Sequence, residues 1–115
     1  VDDHLPLVGL AAEVSEAILV MTAKAFGCVG VVDKNGSLVG IVTDGDLRRH
    51  MAANLLDLGV KNVMTKAPKT IRPSALAAEA VWIMNQNSIT SLFVAQNWKP
   101  LGIVHMHDCL RAEIA

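Results

Sequence analysis

Apolar residues recur along this chain at two spacings, and the two alternate. Val14, Ala17, Ile18, Met21 and Ala25 fall three or four apart, the period of one helix face, and Gly27 stands where such a helix would end. An aliphatic run, "CVGVV" at 28–32, predicts a strand. Asn35-Gly36 then signals a hairpin, because both residues tolerate positive φ. The return strand, "LVGIV" at 38–42, is almost unbroken in its apolar character, as expected of a strand covered on both faces. A second helix is predicted near 45–54, and a short extended lead-in, "PLV" at 6–8, precedes the first.

The same order then repeats. Ala77, Ala80, Val81 and Met84 occupy a helix face after a Pro73-Ser74 start signal, with "KTI" at 69–71 as lead-in. "SLFVA" at 91–95, a looser turn "NWKP" at 97–100, "LGIV" at 101–104 and a helix near 108–114 complete the half. A shift of 62 residues lays Gly40-Ile41-Val42 on Gly102-Ile103-Val104 and Asp46 on Asp108. A shift of 63 lays Glu16-Ala17-Ile18 on Glu79-Ala80-Val81 and Met21 on Met84. The odd residue falls between Asp33 and Val39, where a turn absorbs it. The chain therefore divides into a first repeat at 1–57, a connector "LGVKNVMTKAP" at 58–68, and a second repeat at 69–115. A repeat of that size is marginal as an independent core, so two are expected to pack their sheets together around a shared one.

Composition narrows the field. The 115 residues are 52% apolar but only 3% aromatic, which suits aliphatic strands and helices. Ten basic and eleven acidic residues give a net charge of −1 with no basic stripe, so no nucleic-acid partner is expected. No apolar run approaches the ~20 residues that span a bilayer, and no signal peptide is visible. The absence of an initiator Met marks the sequence as an expected excerpt of a longer chain. Cys28 and Cys109 are too far apart for a zinc pattern and sit among aliphatic neighbours; they read as reduced thiols of a cytoplasmic protein.

The duplication, the "NVMT" at 62–65 and the "GIVTDGD" junction at 40–46 resemble a tandem pair of cystathionine-β-synthase (CBS) domains. More narrowly, "GCVGVVD", "GIVTDGDLRR", "ITSLFVA" and "GIVHMHDCLR" together resemble the C-terminal CBS pair of bacterial arabinose-5-phosphate isomerases. The resemblance implies an α+β fold: two β-α-β-β-α repeats packed through their sheets with pseudo-two-fold symmetry. It also implies an upstream isomerase domain in the parent chain, a nucleotide held between the halves, and a homodimer formed through the CBS pairs.

Thr43-Asp44-Gly45-Asp46 stands where a buried strand gives way to a helix. A Thr followed three residues later by an acid is a capping-box signature, and acids there oppose the positive end of the helix dipole. The resemblance adds a ribose-binding role for Thr43 and Asp46; a carboxylate can accept both hydroxyls of a vicinal diol. Asp44 and Asp46 would repel a phosphate at that tip. In CBS modules the base lies against the preceding strand, here Val29 and Gly30, with Val8 of the lead-in. The second half departs: His105 replaces the Thr, Asp108 is kept, and Thr70 stands where the first half has Leu7. His105 and His107 lie two apart in an extended stretch. They read as a nucleotide contact or a hydrogen-bonded structural pair; with Asp108 as metal ligands they are too crowded for good geometry, and no metal is expected.

Arg48, Arg49 and Arg111 read as a solvated helix face, and Arg49 and Arg111, which correspond across the repeat, as a shared phosphate or acid contact. Leu47 with Met51, and Leu110 with Ile114, offer apolar faces for self-association. Trp82 is expected to pack on its helix, Trp98 belongs to the turn, and His4 and His50 read as surface residues. The leading functional expectation is a regulatory module sensing AMP, ATP, CMP or a CMP-sugar, attached to an isomerase of the Kdo and lipopolysaccharide pathway. The alternative is a structural dimerisation module with degenerate pockets. No nucleophile and base emerge, so the excerpt itself is not expected to be an enzyme.

Overall fold

The computed structural model describes residues 5–24 and 27–109. His4, Ala25, Leu110, Arg111 and Ile114, and most of the helix expected at 108–114, lie outside the described residues. The chain forms two compact units, Val1–Pro68 and Lys69–Ala115. Among the described residues no helix is long and apolar enough to cross a membrane.

In the first unit β1 (Leu7–Gly9), α1 (Val14–Lys24), β2 (Cys28–Val32), β3 (Leu38–Thr43) and α2 (Asp44–Arg49) follow in order. Two 3-10 turns, Leu55–Asp57 and Val60–Asn62, lead into β4 (Thr65–Lys66). The sheet order is β1-β2-β3-β4; β1 pairs parallel with β2, and the remaining neighbours are antiparallel. The second unit holds β5 (Thr70–Ile71), α3 (Ala77–Gln86), β6 (Ser91–Gln96) and β7 (Lys99–His105), ordered β5-β6-β7. A helical turn at 106–109 follows.

The duplication extends to register. Leu7 lies opposite Gly30, and its counterpart Thr70 lies opposite Phe93. Gly40 lies opposite Val31, and Gly102 opposite Val94. The ladder slips at the matching place in both units, between Val31 and Val32 and between Val94 and Ala95. The cores repeat as well: Val8, Ala17, Met21 and Val29 are buried in one cluster, and Ile71, Ala80, Met84 and Leu92 in the other.

Local chemistry alters several expectations. The Asn35-Gly36 turn is not a two-residue turn with both φ values positive, since only Gly36 (φ 80°) is left-handed there. Asp33 explains this: its carboxylate accepts from the N–H of Asn35 (2.9 Å) and of Ser37 (3.0 Å), drawing a longer loop around itself. The tight turn is the one expected to be looser, with Asn97 (φ 52°) and Trp98 (φ 66°) both left-handed between paired Gln96 and Lys99.

The Pro73-Ser74 signal starts a turn, closed by Ala75 N–H donating to the Arg72 carbonyl at 3.1 Å, and α3 begins three residues later. The helix predicted at 45–54 ends at Arg49, where His50 caps it. Met51 therefore lies beyond the helix and is exposed, while Leu47 packs on the core, so the two share no apolar face. Trp82 is 63% exposed rather than packed on its helix. β2 and β6 are buried through nearly their whole length, but β3 alternates buried and half-buried positions and β7 has no buried residue. Among the described residues, the two return strands are thus not buried on both faces.

Candidate functional site at the strand-to-helix junctions

Each unit ends its return strand in a helix start, and the register fixes what stands beside it. Thr43 lies opposite Cys28 across the β2–β3 ladder; His105 lies opposite Ser91 across β6–β7.

In the first unit the capping box forms in full. Asp46 N–H donates to Thr43 Oγ1 (3.3 Å), and Thr43 N–H donates to Asp46 Oδ2 (2.9 Å). Thr43 Oγ1 also donates to Oδ2 (3.1 Å), while Oδ1 accepts from Thr65 Oγ1 (2.7 Å) and from the Arg49 guanidinium. The Asp46 carboxylate therefore accepts four hydrogen bonds and is only 2% exposed. A diol arriving there has to displace existing donors, Thr65 and Arg49 being the two that come from outside the box. Asp44 is exposed beside it. Of the basic residues, Arg49 is thus tied to its own helix, and Arg48 is exposed.

Val8 and Val29 are buried with their side chains in the core, and Gly30 is buried as well. Both edges of β2 are occupied, by β1 and β3, and Gly30 N–H donates to the Pro6 carbonyl at 2.8 Å. A base reaches Val29 and Gly30 only across a face of the sheet, not through backbone hydrogen bonds at its edge.

Cys28 is a residue whose place at the junction was hidden in the sequence. Burial, with the Asp44 carboxylate adding to it, pushes its thiol up from 9.0 to about 11. A thiol held neutral there is neither nucleophile nor ready metal ligand. Thr65 was missed too, although it belongs to the "NVMT" stretch that stood out.

In the second unit His105 takes over the cap. Its Nδ1 accepts the N–H of His107 at 3.2 Å, and the two rings stack with centroids 5.0 Å apart at 16°. This requires Nδ1 to carry no proton. The imidazole accepts a backbone N–H two residues on, where the Thr43 hydroxyl accepts one three residues on. Asp108 is exposed, unlike its counterpart Asp46, and Thr70 is half-buried on β5. Among the described residues no group of three or more His, Cys, Asp or Glu could hold a metal ion.

Asp108 borders a cleft of about 270 Å³ that is otherwise largely apolar, lined by Ile71, Ala77, Ala80, Val94 and Val104 among others. Arg72 stands at it as well, its guanidinium paired with both Glu79 oxygens at 3.1 and 3.2 Å. Only Asp108 of the sequence-predicted residues lines this cleft.

A parallel strand, a helix, a bulged hairpin and an acid-tipped helix start, twice over in one register, define a tandem pair of like units. The chain belongs to the CBS domain family, whose model matches residues 2–53 and 60–115. More particularly, it is similar to the arabinose 5-phosphate isomerase KdsD of Escherichia coli K12, with 40% identity over 114 residues. KdsD of Pseudomonas aeruginosa is 41% identical over 117. These matches take in 97% and 99% of this chain but 35% and 36% of the relatives, so the chain spans about a third of their length, the CBS part. The isomerase domain is not within these residues. Among solved structures, a CBS-domain containing protein of Agrobacterium tumefaciens shares 26% identity and a TM-score of 0.83, over 95% of this chain and 89% of that one. CBSX2, solved in complex with AMP, matches in fold with a TM-score of 0.80 at 24% identity, over 96% of this chain and 88% of that one.

Proposed function

We propose that the chain is the nucleotide-sensing regulatory part of a sugar-phosphate isomerase of the arabinose-5-phosphate type, serving Kdo and lipopolysaccharide synthesis in the cytoplasm. The observation that carries this reading is 40% identity over nearly the whole chain to KdsD, of which it spans only 35%. The ligand is a nucleotide held at the acidic helix tips. Asp44 and Asp108, exposed at the two junctions, are the carboxylates that a ribose reaches from solvent, and Asp46 joins only by releasing Thr65 or Arg49. Thr43, Thr70, His105 and His107 supply the neighbouring polar atoms, and the faces over Val8, Val29 and Gly30 receive the base. A fold relative solved with AMP makes adenosine nucleotides the first to try; the CMP-sugar end product is the natural feedback signal. Such a ligand regulates by binding two states of the parent unequally.

One observation favours a second reading, a dimerisation module with degenerate pockets: the Asp46 carboxylate is already saturated by its own unit. A thermal-shift panel of AMP, ATP, CMP and a CMP-sugar separates the two. A ligand at a hundred times its dissociation constant adds about 2.7 kcal/mol, or roughly ten degrees at this size. A midpoint unmoved by any of them at millimolar concentration leaves the dimerisation reading standing.

A further inference from the structure

A cation stands at the cleft of the second unit, and the corresponding place in the first unit holds a glycine. Arg72 follows β5 directly and lines the cleft with Ile71, Ala80, Val94, Val104 and Asp108. Its backbone is fixed by the turn in which Ala75 N–H donates to the Arg72 carbonyl. Its side chain, 65% exposed, reaches the first turn of α3, where Nη1 and Nη2 donate to the two carboxylate oxygens of Glu79 at 3.1 and 3.2 Å. Glu79 itself does not line the cleft. The 63-residue shift that lays Glu16 on Glu79 lays Gly9 on Arg72. Position 9 thus offers Glu16 no side chain to pair with, and a Cβ built there would meet nothing within 4 Å. The lining differs as well: Val94 and Val104 are half-buried, whereas their counterparts Val31 and Val42 are fully buried.

A guanidinium fork takes a carboxylate or a phosphate by the same two-point geometry. The Glu79 carboxylate therefore sits where an anion from the cleft would sit. A pair this exposed is held weakly, so a ligand displaces Glu79 at small cost and Glu79 turns to water. The apolar lining rewards a flat apolar body, and the Asp108 carboxylate accepts hydroxyls while repelling a second anion. Inorganic phosphate gains from Arg72 alone, and a nucleoside gains from the lining and Asp108 alone. A nucleotide gains from all three.

We infer that Arg72 is the contact for the phosphate of the ligand and directs phosphate-bearing ligands to the second unit, with Glu79 as the internal anion that holds the guanidinium until phosphate replaces it. This rests on the nucleotide reading above and adds to it the place of the phosphate and the residue that sets the preference for a charged ligand. Loss of the Glu79 charge then strengthens nucleotide binding. An ion pair that only steadies α3 behaves otherwise: breaking it from either side alters nucleotide and nucleoside binding alike.

Calorimetric titration of the 115-residue chain with AMP and with CMP, each beside its own nucleoside, tests the assignment. The nucleotide is expected to bind about tenfold more tightly than the nucleoside, as two charge-assisted hydrogen bonds less the release of Glu79 allow. Arg72→Gln is expected to remove that preference. Glu79→Gln is expected to tighten nucleotide binding by about threefold to fivefold and to leave the nucleoside within about twofold of the parent. Nucleoside binding in each variant reports that the cleft is intact. Nucleotide affinity that is the same in the parent and in Arg72→Gln overturns the proposal, and so does Glu79→Gln weakening the nucleotide or tightening both ligands equally. Those results leave the nucleotide reading in place. Neither nucleotide binding at millimolar concentration overturns this contact and counts against the nucleotide reading as well.

Discussion

Two aspartates at matching positions live in opposite circumstances, and their energetics follow. Asp46 is buried and accepts from Thr43, Thr65 and Arg49. Asp46→Ala removes half of the capping box and leaves the half-buried Thr43 donors without their acceptor, while the exposed Thr65 and Arg49 turn to water, so a loss of about 1–3 kcal/mol is expected. Asp108→Ala, at an exposed position, is expected to cost under about 1 kcal/mol. Chemical denaturation of the two variants side by side measures the difference, and equal losses would mean that burial does not separate them. Cys28 gives a test of sign. Its folded thiol ionises near 11 instead of 9.0 because burial, then Asp44, opposes the thiolate. Below about pH 9 the thiol is neutral folded or unfolded and contributes no pH dependence. From there to about pH 11 only the unfolded form ionises, so stability falls by about 2–3 kcal/mol. Cys28→Ala is expected to flatten that part of the stability–pH profile relative to the parent chain. The sequence made the "TDGD" box legible as a cap and as a candidate site, since the spacing alone carries both. It hid Cys28 and Thr65, because their approach to the junction comes from ladder register and from a strand 19 residues further on.

At the scale of elements, repetition was the readable signal and boundaries were not. The helix faces at Ala17 and Met21 and at Ala80 and Met84 were plain from spacing, and both pairs are core. The turns went the other way. Asn35-Gly36 carries the stronger local preference, yet the Asp33 carboxylate gathers two backbone N–H groups and sets a longer loop. Asn97-Trp98 carries a weaker one, and the tight Gln96–Lys99 pairing holds both residues left-handed. Likewise Pro73 reads as a helix start, but the turn closed on the Arg72 carbonyl uses it first. The stretch 58–68 reads as a connector because it lacks clear periodicity, while its Val60 and Val63 are wholly buried. Their weight is testable. Val60→Ala is expected to destabilise by about 2–3 kcal/mol. Gly40→Ala, whose added methyl runs into the Met64 side chain and presses on β4, is expected to cost more than Gly102→Ala, where the methyl makes only ordinary contact with Val94 Cβ at 4.0 Å. Thermal midpoints of the two glycine variants read this directly; a greater loss at Gly102 would contradict the role assigned to Met64.

At the scale of the molecule the duplication is faithful in topology and unequal in substance. Among the described residues the first unit's cluster has eleven buried residues and the second unit's five. Among them too, one sheet has four strands with β3 paired on both edges, and the other has three with β7 last in order. The conformational entropy of ordering a residue is similar in both units, so the unit that buries fewer apolar side chains has the smaller surplus. Amide exchange should therefore divide by unit. The central strands are the fair comparison, because each has a neighbour on either side: Val29 and Val31 in β2, and Leu92 and Val94 in β6. Opening at β6 is expected to need less free energy than opening at β2, with the β6 amides exchanging about tenfold faster or more, equivalent to about 1.4 kcal/mol. The same rates at both strands under conditions where exchange follows global unfolding would show that the units open as one, and that the deficit of the second is shared by the first. If the strands separate as expected, a nucleotide that binds the second unit's exposed Asp108 protects β6 more than β2. The strand that gains protection then identifies the binding half in a single titration.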